Sequence, residues 1–227
     1  MLTVLPVEGL PELQPGDVLA ELLAAAVELR DGDVVVVTQK AVSKVEGRVV
    51  PVPAEGHGVL IEQESVRVLR RRGELVVSET RHGFVCANAG VDLSNVEDGR
   101  AALLPLDPDL SARRIRDGLR GRAGVEVGVI VSDTFGRSWR RGVVDVAIGC
   151  AGVAGIVDLR GTRDALGREL QATEVAVVDE VAAAAELVMG KDRGVPAAVV
   201  RGLDPAWLRE GSVASEVVRP HAEDLFR

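Results

Sequence analysis

Two runs of β-branched residues constrain this chain more than any other feature. "VVVVT" at 34–38 follows the turn signal Asp31-Gly32-Asp33, and "VEVGVIVSD" spans 125–133. A short apolar β-branched run between turn signals reads as a buried strand. Helical spacings lie around them. Asp17 stands where an N-cap should be, ahead of Leu19, Leu22, Leu23 and Ala26. "IEQESVRVLRRR" (61–72) reads as a helix with a charged face, and "DPDLSARRIRDGLR" (107–120) and "EVAAAAELVMG" (180–190) as further helices. "ELVVSE" (74–79) and "PAAVVRG" (196–202) read as strands, and "PVPAEGHG" (51–58) as a loop. Helices mixed with strands place the chain in the mixed α/β (α+β) class.

The core has to be aliphatic, because only 2% of the 227 residues are aromatic and none is Tyr. That argues against an aromatic platform for nucleic-acid bases. The net charge of −8 argues further against nucleic acid or an anionic membrane as partner. No apolar run has the length of a membrane span, and the opening residues lack the pattern of a signal peptide. Cys86 and Cys150 lie far apart and form no C-x-x-C pair, so they read as two reduced thiols in a cytoplasmic protein.

No P-loop, no G-x-G-x-x-G opening a helix and no H-E-x-x-H is present. The chemistry has to be sought in polar residues beside strands, and three stretches stand out. In "VIVSDTFGRSWRRG" (129–142) an apolar strand runs into Ser132-Asp133-Thr134, followed by Arg137, Arg140 and Arg141. Mixed α/β folds place ligand groups at the carboxyl ends of such strands. Asp133 with the Thr134 hydroxyl is a hard-oxygen pair suited to Mg²⁺ or Mn²⁺, and the arginines suit phosphate. The plainer reading makes Asp133 a cap and leaves the arginines solvated.

In "TRHGFVCANAGVDLSNV" (80–96), Asp92, Ser94 and Asn95 follow Gly90 as a second hard-oxygen set, or as an Asx turn. In "TQKAVSKVEGR" (38–48), Lys40 and Lys44 share a face if the segment is a helix, and attract an anion or simply face solvent. Two separated acids in apolar surroundings point to one shared divalent cation.

"LPELQPGD", "TQKAVSKVEGR", "ETRHGFVCANAGVDLSNV", "SDTFGRSWRRG" and "TEVAVVDEVAAAAELVMGK" together resemble the coenzyme F420-0:L-glutamate ligases, the F420 gamma-glutamyl ligase family. The likeness runs in order over nearly the whole chain. It implies a family-specific mixed α/β fold assembled as an intertwined homodimer. It implies a GTP-dependent amide ligation of L-glutamate to F420-0, then of further γ-linked glutamate. A divalent cation, Mg²⁺ or Mn²⁺, is required, and K⁺ is a further candidate. The residues that match the family's GTP contacts are Leu10, Pro11, Glu12, Leu13, Gln39, Lys44 and Asn95. Asp92, Asp133 and Thr134 match its metal ligands, which makes Asp92, Asp133 and Lys44 the catalytic candidates.

Glu79 and Glu174 are candidate bases, and Arg81 and Arg137 candidate holders of anionic groups. The likeness leads one to expect a single ligase domain over 1–227, without the nitroreductase-like flavin domain that follows it in fused actinobacterial proteins. Two other readings stand beside it: another metal- and nucleotide-dependent amide ligase, and a nucleotide-binding module without turnover.

Overall fold

The valine run lies where its composition demands, at the middle of a five-stranded sheet. The computed structural model describes residues 1–224. The first half of the chain forms β1 (Thr3–Pro6), α1 (Leu19–Ala26), β2 (Val34–Thr38), α2 (Gln39–Val45), β3 (Val49–Pro51), α3 (Gly58–Glu64), β4 (Ser65–Arg72), β5 (Leu75–Thr80), β6 (Val85–Ala87) and β7 (Arg100–Ala102). The second half forms α4 (Pro108–Ala123), β8 (Gly128–Gly136), β9 (Val143–Ala151), β10 (Val157–Asp158), β11 (Glu174–Val175), α5 (Val177–Met189) and β12 (Ala197–Arg201). Among the described residues no helix is long and apolar enough to cross a membrane.

The central sheet has the order β1-β12-β2-β8-β9. Among the described residues only β2 and β8 run parallel, in a register that sets Thr38 opposite Ser132. A strand enclosed on both faces takes a continuous apolar run, and Val34–Val37 are all at most 1% exposed. Helix α4 packs on β8 and β9 and against α1, while α5 lies across β9, β12 and β1. Helix α4 starts cleanly because the Asp107 side chain accepts a hydrogen bond from Leu110 N at 2.9 Å. It ends at Gly124, with φ of 67°. A second, smaller core gathers Leu60, Ile61, Val76, Val91, Ala101 and Leu103 beneath the β4-β5-β6 and β3-β7 sheets.

The mixed class and most elements match the sequence reading, with three corrections. The helix expected over 61–72 stops at Glu64, and 65–72 is strand β4, paired antiparallel with β5. Arginines that face solvent suit either state, so pairing and the β-branched Val66 and Val68 decide it. Ser65 marks the switch, its hydroxyl donating to Ile61 O at 2.6 Å and bonding Ser78 Oγ at 2.8 Å.

Asp17 is not the N-cap of α1. Val18 holds that position, and Asp17 Oδ2 instead accepts from Gln14 N at 2.7 Å, closing the preceding turn. The strand ending in Asp133 does not stop there: β8 continues to Gly136 and folds back as β9, which the sequence reading did not foresee. The pairing slips between Val131 and Ser132, leaving Ile148 as an extra residue in β9.

Candidate functional site

A cavity of about 180 Å³ opens where the two cores meet, lined by Cys86, Gly90 and Asp92 from the smaller part and by Asp133, Thr134 and Phe135 from β8. The parallel pairing of β2 and β8 brings their carboxyl ends to one edge, and α2 begins at once beyond Thr38. That is the position at which open α/β sheets bind ligands. The other wall depends on a tight backbone. Asn88, Ala89 and Gly90 have φ of 52°, 52° and 72°, so three successive residues are left-handed. A Cβ at Gly90 would sit 2.6 Å from Leu104 Cγ, so only glycine lets the chain pass.

Lys40, in the first turn of α2, reaches across to this wall. Its Nζ lies 2.8 Å from Asp92 Oδ2 and 2.6 Å from Ser94 Oγ. Ser94 N donates to Asp92 Oδ1 at 2.7 Å, so the Asx turn is present and coexists with the ion pair. Burial raises the Asp92 carboxyl, but the Lys40 ammonium and the Ser94 amide outweigh it and hold the group below its usual value.

Asp133 goes the other way. Burial pushes its carboxyl up to about 7, with the Asp92 and Asp145 charges adding to the rise and the Thr134 amide and Lys40 opposing it. Two carboxylates that share a cavity and repel each other are a hard-oxygen site with an excess of negative charge, which suits Mg²⁺ or Mn²⁺. Among the described residues no group of three or more His, Cys, Asp or Glu stands together as a metal cluster.

Thr134 is adjacent to Asp133 and so points to the opposite face of the strand. Its hydroxyl donates to Asp145 Oδ1 at 2.6 Å and also meets the Lys191 ammonium. Ser132 Oγ donates to Asp145 Oδ2 at 3.0 Å, and Lys191 Nζ lies 2.8 Å from Asp145 Oδ1 and 3.1 Å from Glu186 Oε1. The sequence reading missed Asp145, Lys191 and Glu186. The available signal was a single Asp inside the apolar run "VVDVAIGCA".

The remaining candidates lie around α2. Lys44, one turn beyond Lys40, pairs with the exposed Glu12 at 2.5 Å. Leu13 is buried, Leu10 half-buried, and Pro11 and Glu12 are exposed on the segment before α1. Gln39 is 1% exposed, and its Nε2 donates to Ser43 Oγ at 2.7 Å and Leu103 O at 2.9 Å. Its Oε1 is buried without a hydrogen-bond partner. Asn95 is exposed with φ of 54°.

Of the candidate bases, Glu79 is held by Arg67 at 3.2 Å and His221 at 3.0 Å, and Glu174 pairs with Arg160 at 3.2 Å. Arg81 pairs with Glu64 at 3.1 Å. Cys86 is buried, and burial pushes its thiol up to about 12, which suits a packing residue and not a nucleophile.

The family model described as F420-0:Gamma-glutamyl ligase matches residues 9–55 and 53–202. The chain belongs to the F420-0:gamma-glutamyl ligase family. The stretch matched by the family model contains both walls of the cavity, α2 and the Asp145 cluster. Three relatives in this ligase family are named coenzyme F420:L-glutamate ligase. Those from Methanothermobacter thermautotrophicus and Methanopyrus kandleri are each 45% identical over 100% of this chain and 99% of their own length. The one from Archaeoglobus fulgidus is 45% identical over 99% of this chain and 96% of its own.

Proposed function

We propose that this chain joins L-glutamate to coenzyme F420-0 through an amide bond, consuming GTP and releasing GDP and phosphate, and that it can add a further γ-linked glutamate. The names of the full-length relatives support the ligation. The observation that carries the site assignment is that Asp92 and Asp133, from distant segments, line one cavity beside Lys40.

A carboxylate is a poor acyl donor, so the reaction needs it activated, and phosphorylation by GTP to an acyl phosphate does this before the glutamate amine attacks. Asp92 and Asp133 would hold the Mg²⁺ or Mn²⁺ ion, which when bound offsets phosphate charge. Lys40 keeps Asp92 ionised and oriented through a direct ion pair. Thr134, through Asp145, ties the β8–β9 hairpin to α5 and so fixes where Asp133 points. Lys44, with Leu10–Leu13, Gln39 and Asn95 around α2, is the nucleotide side of the site. The exposed Val66, Val68 and Leu75 on the β4–β5 arm support a homodimer, which light scattering of the eluting protein tests.

The deciding experiment incubates the chain with F420-0, L-glutamate, GTP and Mn²⁺ and reads the product by mass spectrometry. A product heavier by one or more glutamyl units is the expected result. GTP-induced thermal stabilisation with no new product and no phosphate release would instead support a nucleotide-binding module.

A further inference from the structure

The β8–β9 hairpin does not end at the cavity. Three residues beyond Asp133 the strand closes at Gly136, roughly 10 Å further along at the usual rise per residue. The turn Arg137–Gly142 follows, with Arg140 N bonded to Arg137 O at 3.3 Å.

Three properties of this turn stand out. Trp139 is 87% exposed, in a chain with only two Trp and no Tyr. Its φ is +59°, at a turn position that normally takes Gly or Asn when φ is positive. A non-glycine residue held in the left-handed region is strained, and such positions cluster at ligand clamps. Arg137, Arg140 and Arg141 flank it, and among the described residues none of the three forms an ion pair with a carboxylate. Arg137 instead donates to Arg141 O at 3.0 Å and stiffens the turn. A chain of net charge −8 thus carries a local block of three cations and one aromatic, on the strand that supplies Asp133.

We propose that this hairpin tip is a substrate-holding arm: Trp139 stacks on a planar aromatic ring while Arg140 and Arg141 hold a phosphate joined to that ring, so that the reacting end reaches the Asp92–Asp133 cavity. The inference rests on the ligase reading and adds the substrate handle to it. The chemistry suits the acceptor or the nucleotide, and cationic and stacking contacts reinforce each other on such a ligand. An acidic site that binds anionic substrates needs such a positive approach.

The test is calorimetric binding of F420-0 and of GTP, each alone, to the wild type, to Trp139→Gly and to the Arg140→Ala/Arg141→Ala double variant. Glycine accepts the positive φ, so Trp139→Gly keeps the turn, and its melting temperature is read beside the binding. The expected result is that both variants weaken one ligand at least about fivefold, the range of a lost aromatic stack, and leave the other unchanged. Weakening of F420-0 assigns the arm to the acceptor, and weakening of GTP assigns it to the nucleotide. Equal binding of both ligands by all three proteins would overturn the proposal, as would a wild type that binds neither. A change in oligomeric state on elution, or equal losses with a lower melting temperature, would overturn it too. The product assay reports on the ligase reading separately.

Discussion

Asp133 and Asp145 lie on neighbouring strands and experience opposite surroundings. Asp145, 1% exposed, receives Ser132 Oγ, Thr134 Oγ1 and Lys191 Nζ. Asp133, one residue from Thr134 but on the other face, has its carboxyl driven up to about 7 by burial and like charge. The first is a satisfied buried carboxylate, which holds strands and helix together. The second is left unfavourable by the fold, and a group in that condition is suited to a ligand's positive charge. Asp145 is fully buried and Asp133 half-buried, and partner count separates the structural acid from the candidate site acid here.

Substitutions can break this contrast. The largest effect belongs to Asp133→Ala, which should lower glutamate-dependent phosphate release by about 1,000-fold, the upper range for loss of one electrostatic contact to a reacting group. Its melting temperature should not fall, because a disfavoured charge has been removed. Asp145→Ala should do the reverse to stability. It strands two hydroxyls and the Lys191 ammonium, and should cost about 3 kcal/mol in urea unfolding. Equal destabilisation by the two variants would erase the distinction.

A pH series sharpens it. The ordinary value for Asp133 is 3.8 and the folded value about 7. Between these the folded protein keeps a proton that the unfolded chain has lost, so this group lowers stability as pH rises through the window. With a chelator present, the melting-temperature advantage of Asp133→Asn over wild type should widen from about pH 4 to about pH 7 and stay flat above. A constant difference would mean that Asp133 is not perturbed.

The smallest effect concerns the thiols. Burial pushes Cys86, on the Asp133 cavity, and Cys150 up to about 12. Iodoacetamide at pH 8 should therefore label neither in the native protein and both after unfolding. Rapid native labelling of Cys86 would show the cavity wall to be open.

The same contrast explains what the sequence discloses. Strand β2 is legible to the residue because a fully enclosed strand has one composition. Helices α4 and α5 stand close to where the sequence reading sets them, at 107–120 and 180–190. Strand β4 is not, since an edge strand whose side chains mostly face water has no obligatory pattern, and its arginines read as a helix face. Asp92 and Asp133 are conspicuous as lone acids in apolar text. Their mutual approach, and the Lys40 bridge, depend on contacts between distant segments that no local spacing encodes. Asp145 stays hidden for the same reason, because its partners come from β8 and from just beyond α5.

Strand β2 sits between β12 and β8, while β1 pairs with β12, so the sheet joins the first strand of the chain to the last. Pairings between such distant segments form late and slowly. Strand β2, which leads directly into the helix that carries Lys40, has both edges paired only when β12 is in place. A ribosome-bound fragment lacking β12 therefore carries every cavity residue yet should catalyse nothing. In a refolding time course, activity should return in step with the slowest phase of sheet formation and never ahead of it.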